Sequence, residues 1–535
     1  MVDEIVRAYL EKSARALDDI PHAGEAVYLR DGINLSTGGT AVDVTDLVHP
    51  SVAAMCVRAA RVIGMDVCGV DLVLPDIGEP MTKGCGGVIE LNASPGLRMH
   101  LYPSEGQPRD VGGAIVEMMY PPGAPSRIPI ISVTGTNGKT TVTRMIGHVL
   151  KEAGQTVGMT TTDGIYIAGE RIVEGDTTGP HSARTVLSDP AVEVAVLETA
   201  RGGIVRRGLG YDWSDVAVLT NIQPDHIGQD GIETIEDILH IKSLVAERVK
   251  ENGTLILNAD DEHLARLAEN PRVSRLNKRV VYFSLHENHL LVKKHRDAQE
   301  GLAYFVKDGR LVEAVGQEEH VIAHVTEIPA TLGGAAEFNV ANALAAAAAC
   351  RAQGVTREQI ASGLRTFRGD LQNPGRNNLY ELGGGYVMLD YGHNPDAFKA
   401  VSRMTSLWQR RRVTGVIGIP GDRDDQLILE GGRVAARGFD RLIIKEDEDL
   451  RGRKVGEVAG LLYRAVKDEA PNSECHIVLN ECDALRMEIE RIRAGEVVVL
   501  FYDKLEPLLE VLKQYGATPA ATVGARTSHA SVAKA

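Results

Sequence analysis

IPIISVTGTNGKTTVTRMIGHVL, residues 128–150, reads as a buried β-branched strand, a turn carrying Gly135 and Gly138, and an amphipathic helix. A phosphate-cradling loop needs that succession, because glycines let backbone N–H groups approach an anion at the positive end of a helix. Within it Lys139 can reach the β and γ oxygens of a nucleoside triphosphate, and the Thr140 hydroxyl can ligate Mg²⁺. The common GxxxxGK[ST] spacing is not met, since Val133 stands where its first glycine would be.

Outward from this stretch, short β-branched runs alternate with helix-like segments: EVAVLE (193–198), DVAVLTN (215–221) and GTLILN (253–258). The alternation predicts a parallel sheet covered by helices on both faces. Between about 280 and 330, VVYFS, LAYFV and HVIAHV with polar turns read as a small antiparallel insertion. After the Ala-rich helix NVANALAAAAAC (339–350), a second α/β unit begins near residue 371, with strands YVMLDY, GVIGIP, RLIIKE, HIVL and EVVVLFY. Upstream, YPPGAPSRIP (120–129) reads as a linker. The expected division is therefore 1–125, 126–370 and 371–517, followed by a small, polar, frayed tail over 518–535.

The 535 residues suit several domains of roughly 100 to 200 residues each. No apolar run approaches the roughly 18 to 20 residues that span a bilayer. The charged start MVDEIVRAYLEKSARALDD is unlike a signal peptide, and the six cysteines at 56, 68, 85, 350, 475 and 482 show no CxxC spacing, so a cytoplasmic chain is expected. A net charge of −15 argues against general nucleic-acid binding, so any phosphate must be held locally.

Glu198 ends one strand, and Asp225 and His226 in TNIQPDHIG follow the next, on the same sheet edge as the phosphate loop. Thr140, Glu198 and His226 are therefore candidate Mg²⁺ ligands for phosphoryl transfer. Lys242 lies in EDILHIKSLVAERVK, where a surface helix lysine is the plain alternative. Asn339 and Asn342 share one helix face at i, i+3, as nucleotide contacts or as mere helix caps. Arg376 sits in the turn NPGR, and MLDYGHNPDAF offers Asp390, His393 and Asn394. GIPGDRDD places Asp422, Arg423 and Asp424 at the carboxyl end of a strand.

The variant loop GTNGKT resembles that of Mur ligases and folylpolyglutamate synthetases. Glu198, the Asp225–His226 pair, FNVANALAA with Phe338 in place of a histidine, NPGR, DYGHNPD and GDRD follow in the family's order. The resemblance implies an α/β fold, with a P-loop central domain on a parallel sheet and a Rossmann-like C-terminal domain that closes about a hinge near 370. It implies ATP and Mg²⁺ as cofactors, with nucleotide contacts from Gly135, Thr136, Asn137, Gly138, Lys139, Thr140, Thr141, Asn339, Asn342, Arg376 and Asp390. It further implies catalytic roles for Lys139, His226, Lys242 (as a carbamate near a second metal), Arg376 on the γ-phosphate, and His393 facing substrate. The implied reaction passes from carboxylate to acyl phosphate to amide.

Upstream, DGINLSTGGTAVDVTDLVHP, VCGVDLVLPD and GGVIELNASPGLRMH resemble the carboxyl-terminal part of the ATP-grasp α+β domain of cyanophycin synthetases, with Asp71, Glu90 and Asn92 matching its metal-binding acid, acid and amide. That resemblance implies addition of arginine to the β-carboxylates of a polyaspartate (cyanophycin) chain. The substrates would be that polymer and arginine, with a homo-oligomer expected and neither nucleic acid nor membrane as partner. The ATP-grasp lysines upstream are missing, so the Asp-adding site is expected to be incomplete and the Arg-adding site complete. Two other readings stay open: a folylpolyglutamate or poly-γ-glutamate ligase, and a non-catalytic companion of a full-length enzyme.

Overall fold

In the computed structural model, which describes residues 2–30, 39–82, 84–225, 227–228, 230–298, 301–408 and 410–523, the chain divides into two units, Met1–Arg127 and Ile128–Ala535. The division falls inside the Pro- and Gly-rich stretch. The first unit holds one antiparallel ribbon, β1 (Gly69–Val73) with β2 (Gly87–Asn92). Its helix Pro50–Ile63 starts on a proline and stops at Gly64, whose φ of 80° only glycine adopts freely. Its buried apolar side chains, among the described residues, are Val6, Leu10 and Val52. Residues 31–38, which carry most of DGINLSTGG, lie outside the described residues.

The second unit contains two sheets. The first is built from β3 (Ile130–Thr134), β4 (Val157–Thr161), β5 (Gly164–Ile167), β6 (Glu170–Glu174), β7 (Val194–Glu198), β8 (Ser214–Leu219), β9 (Val249–Asn258), β10 (Arg279–Ser284), β11 (Leu302–Lys307), β12 (Arg310–Val315) and β13 (Glu318–His324). Their spatial order is β13-β12-β11-β10-β9-β8-β3-β7-β4-β5-β6. β3 and β7 are buried at every residue, as expected of parallel strands with helices on both faces. On one face the phosphate-loop helix Lys139–Glu152 packs with the Ala-rich helix Glu337–Ala352, where Ala345, Ala346 and Ala347 are fully buried. On the other lies the helix Ile235–Glu247.

The antiparallel insertion expected between 280 and 330 is corrected. β10, the VVYFS run, pairs parallel with both β9 and β11, and only β11, β12 and β13 form a meander. These strands extend the main sheet, because Val281, Tyr282, Phe283 and Ser284 are buried and need cover on both faces.

The second sheet comprises β14 (Asn378–Leu382), β15 (Gly385–Asp390), β16 (Arg412–Ile417), β17 (Arg441–Ile444), β18 (Glu474–Ile477), β19 (Glu496–Phe501) and β20 (Thr518–Pro519), ordered β18-β17-β16-β19-β15-β14-β20. β15 to β19 are mutually parallel where they pair, and β14 and β20 are antiparallel. The frayed tail expected over 518–535 is corrected at its start. Thr518 and Pro519 pair with Glu381 and Tyr380, and Ala520 N donates to Leu379 O at 2.8 Å. Residues 524–535 lie outside the described residues. Among the described residues, no helix is long and apolar enough to cross a membrane.

Candidate active site

β3 lies between β7 and β8, so the loops leaving all three emerge at one edge of the sheet. Gly135 takes φ 147°, and a Cβ there would stand 1.9 Å from Thr220 Oγ1, so only a glycine lets the loop pass the end of β8. Gly138 takes φ 84°, and its Cβ would meet Asn342 Oδ1 at 2.5 Å. Asn221 staples the loop down: its Oδ1 accepts from Asn137 N at 2.8 Å and its Nδ2 donates to Asn137 O at 3.1 Å. Two ammonium groups hold successive carbonyls, Lys242 Nζ on Gly135 O at 2.7 Å and Lys139 Nζ on Thr136 O at 2.9 Å. The loop carbonyls are thus engaged by protein.

Lys242 is buried, which removes the surface-lysine alternative. It lies one turn from Ile238 and from Val245 and Ala246, on the buried face of its helix. Burial pushes its ammonium well below the ordinary lysine value, and the nearby Lys139 charge adds to the effect. Burial likewise lowers Lys139, against the pull of the Glu198 and Asp225 carboxylates.

Glu198, at the end of β7, accepts from Thr140 Oγ1 at 3.1 Å and from Thr162 Oγ1 at 2.9 Å, and its other oxygen accepts from Thr162 N at 3.2 Å. Two hydroxyls and a carboxylate gathered at a helix start form a hard oxygen set of the kind Mg²⁺ accepts alongside phosphate oxygens. Among the described residues, no three His, Cys, Asp or Glu side chains gather as a metal cluster. His226 lies outside the described residues.

The opposite wall comes from the later motifs. Asn339 Nδ2 donates to Ala330 O at 2.7 Å and Asn342 Nδ2 to Asn339 Oδ1 at 3.1 Å, so neither caps its helix, which begins after Ala336 without a side-chain cap. Arg376 lies over the Tyr391 ring at 4.0 Å, with Nη2 3.5 Å from Thr140 Oγ1. Asn377 beside it takes a left-handed φ of 54°. Asp390 accepts from Asn377 N at 3.0 Å and Gly392 N at 2.8 Å, while burial raises its pKa. His393 Nδ1 lies 3.0 Å from Tyr391 O, which can only accept, so Nε2 is left as the acceptor of the neutral ring. Burial lowers its pKa and favours that neutral form.

These side chains line a cavity of about 500 Å³ whose far end is apolar, with Phe283, Leu285, Phe338 and Met404. Gln223 Oε1 and Asn377 Oδ1, both on its lining, are buried without a hydrogen-bond partner among the described residues. A purine and ribose with triphosphate suit such a half-apolar, half-polar space. A second cavity, of about 720 Å³, shares Thr136 and Lys139 with the first and has an excess of cations on its lining, with Arg201, Arg206, Arg207, Lys242 and Arg451 beside Asp176, Asp225 and Asp422. A third, about 270 Å³, adjoins both and takes in His393, Tyr502, Asp447 and Asp503.

The structure therefore brings together the loop residues Thr136 to Thr141, Glu198, Asn339, Asn342, Arg376, Asp390 and His393 around one cavity, with Lys242 behind Gly135. Asn394, expected to face substrate, instead caps its helix through Ala397 N at 2.9 Å and reaches Asn137 Oδ1 at 3.3 Å. Asp424 is also a cap, accepting from Leu427 N at 2.8 Å. In the first unit Asp71 pairs with Glu90 in register on the ribbon, and Asn92 Nδ2 donates to Asp71 Oδ2 at 3.3 Å. The sequence reading missed Thr162, although a run of threonines closing a buried strand could have pointed to it. It also missed the cationic cavity, whose signal is the run ARGGIVRR after Glu198.

Residues 133–350 match the Mur ligase middle domain, and residues 375–501 match the Mur ligase glutamate ligase domain. The chain is similar to a cyanophycin synthetase from Crocosphaera subtropica, 42% identical over 515 residues, covering 96% of this chain and 58% of the relative. One from Synechocystis sp. is 43% identical over 505 residues, covering 94% and 57%. The chain thus spans a little over half the length of these relatives. A solved folylpolyglutamate synthase from Mycobacterium tuberculosis superposes with a TM-score of 0.53 at 18% identity, over 76% of this chain and 95% of that one, a likeness of fold.

Proposed function

We propose, from the premise that the chain belongs to the Mur ligase family, that it is an ATP-dependent ligase that joins arginine to the β-carboxylates of a polyaspartate backbone through an acyl phosphate. The observation that carries this reading is the meeting of the nucleotide cavity and the cationic cavity at Thr136 and Lys139. A terminal phosphate in the first would lie between Lys139 and Arg376. A carboxylate entering from the second would be held by Lys242 and the arginines as it attacks that phosphorus. Mg²⁺ fits at Thr140 and Glu198, where its charge would offset that of the β and γ phosphates.

The carbonyl of the acyl phosphate is then open to an amine from the third cavity. His393, which lines that cavity and whose burial favours the neutral ring, would take the proton the ammonium must shed before attack. Phosphate leaves and the amide remains. Asp503 at that cavity suits a cationic amine donor such as arginine, while Asp447 beside it is paired with Lys445 at 2.8 Å. In the first unit, Asp71, Glu90 and Asn92 are the metal-binding edge of an ATP-grasp site under the same reading.

The reading is tested by incubating the chain with ATP, Mg²⁺, a short polyaspartate and arginine, glutamate or aspartate in turn. ADP release and a mass gain of one arginine residue per event are expected with arginine alone. Glutamate-dependent release without an arginine response would sink the proposal in favour of a polyglutamate ligase.

A further inference from the structure

Asp225 sits on the loop after β8 and Arg423 on the turn after β16, so one belongs to the eleven-stranded sheet and the other to the seven-stranded one. Across the site between them, Arg423 Nε donates to Asp225 Oδ1 at 3.0 Å, with the two side chains only 2% and 9% exposed. One other charged pair joins the two lobes here, Arg403 with Glu337 at 3.0 Å, but its side chains are 70% and 45% exposed. Further bonds have a neutral side: Asn394 Nδ2 to Asn137 Oδ1 at 3.3 Å, Asn373 Nδ2 to Thr141 Oγ1 at 3.1 Å, and Arg144 Nη1 to Gln372 O at 2.8 Å. Arg423 and Asp225 bury a full charge on each side. Such a pair is stable only while both partners are present.

The turn that presents Arg423 is itself fastened. Arg453 donates to Gly421 O at 3.0 Å and to Arg423 O at 2.8 Å. Asp422 accepts from Arg423 Nη1 at 2.7 Å and is held from its other side by Arg451 at 3.0 Å. A rigid guanidinium is therefore carried by the second lobe to one acidic side chain of the first. That acid stands among cations, since its charge acts on Lys139 and Lys242 and on His393. With no arginine opposite it, the carboxylate would draw on the ammonium groups that the phosphate needs.

We propose that Arg423 is a positioning residue: when the second lobe docks, it pairs with Asp225 and so leaves Lys139 and Lys242 to the phosphate and the acceptor carboxylate. Lobe closure and readiness for phosphoryl transfer are then one event. The catalytic readout rests on the ligase reading above; the docking readout does not.

The test uses the full chain with R423A, R423Q and R423K, following acceptor-dependent ADP release, binding of a fluorescent ADP analogue, and amide exchange of the segment 214–240. R423A should lower kcat by about 10²-fold, the scale expected when reacting groups are slightly misplaced. Its ADP-analogue affinity should stay within about threefold of native, so the loss falls on kcat and not on nucleotide binding. Exchange in 214–240 should accelerate, and R423K should recover at least about tenfold of the lost rate. Should R423A fail to melt cooperatively, R423Q and R423K decide: a faster lysine variant supports the proposal and equal rates overturn it. Native kcat in R423A, or unchanged exchange, also overturns it. If native chain releases no ADP with any acceptor, the ligase reading falls, and exchange and binding still judge the docking role.

Discussion

Two lysines decide the chemistry at the scale of single residues, and they were unequally visible. Lys139 follows from a local pattern, because glycine turn, lysine and threonine adjoin in sequence. The burial of Lys242 depends on which face of its helix is laid under the loop, and no local pattern carries that. Thr162 is the last of three threonines, the first two of which lie in β4, and the run does not say which of them meets Glu198. Since burial depresses Lys242, it binds fewer protons folded than unfolded between its folded value and the ordinary 10.5. Stability should therefore rise with pH through that window, and K242M should flatten the rise in thermal melts. Below the window the same lysine is charged in both states, and its burial is a standing cost that K242M relieves. R376A should lower kcat for ADP release by roughly 10² to 10³, the usual scale for one donor aimed at developing charge. A smaller loss would place Arg376 outside the transition state.

Among elements, the strand-turn-helix at 128–150 and the β-branched runs were legible because buried parallel strands need continuous apolar sequence. Strand direction was not, as VVYFS shows: its residues give a strand, while its parallel neighbours come from chain far away in sequence. The phosphate-loop helix is fitted to the Ala-rich helix through Gly138 and Asn342, so G138A should be poorly tolerated. A methyl at φ 84°, 2.5 Å from Asn342 Oδ1, must displace the asparagine or the loop. ADP affinity should fall at least about tenfold, and Asn342→Ala in the same chain should restore part of it, as coupled neighbours do. In the second sheet, Arg441 and Glu488 bond at 2.7 Å with side chains 5% and 3% exposed. E488A strands a buried guanidinium and should cost about 3 kcal/mol or more, seen as a lower midpoint in denaturant melts with unchanged slope. A change under about 1 kcal/mol would mean that Glu474, 2.8 Å from Arg441 Nε, already suffices.

For the molecule as a whole, the break in the Pro- and Gly-rich stretch was readable from composition, whereas the way each sheet ends was not. Three of the four outer strands in the second unit carry charge: Glu170, Arg171 and Glu174 on β6, Glu318 and Glu319 on β13, and Glu474 on β18. Charge on an outer strand discourages another chain from adding to it. The fourth is the short, uncharged β20, which among the described residues covers the outer side of β14, whose NLYEL carries Glu381 as its one charge. The start of what reads in sequence as a frayed tail thus shields the outer side of β14. Removing residues 517–535 should leave the nucleotide cavity intact, yet promote self-association, visible as concentration-dependent light scattering that a lysine at Tyr380 would suppress. A chain cut before β20 would bare the Tyr380 side of β14 to strand-on-strand clumping, so a shortened version made for expression is expected to stay dispersed less well.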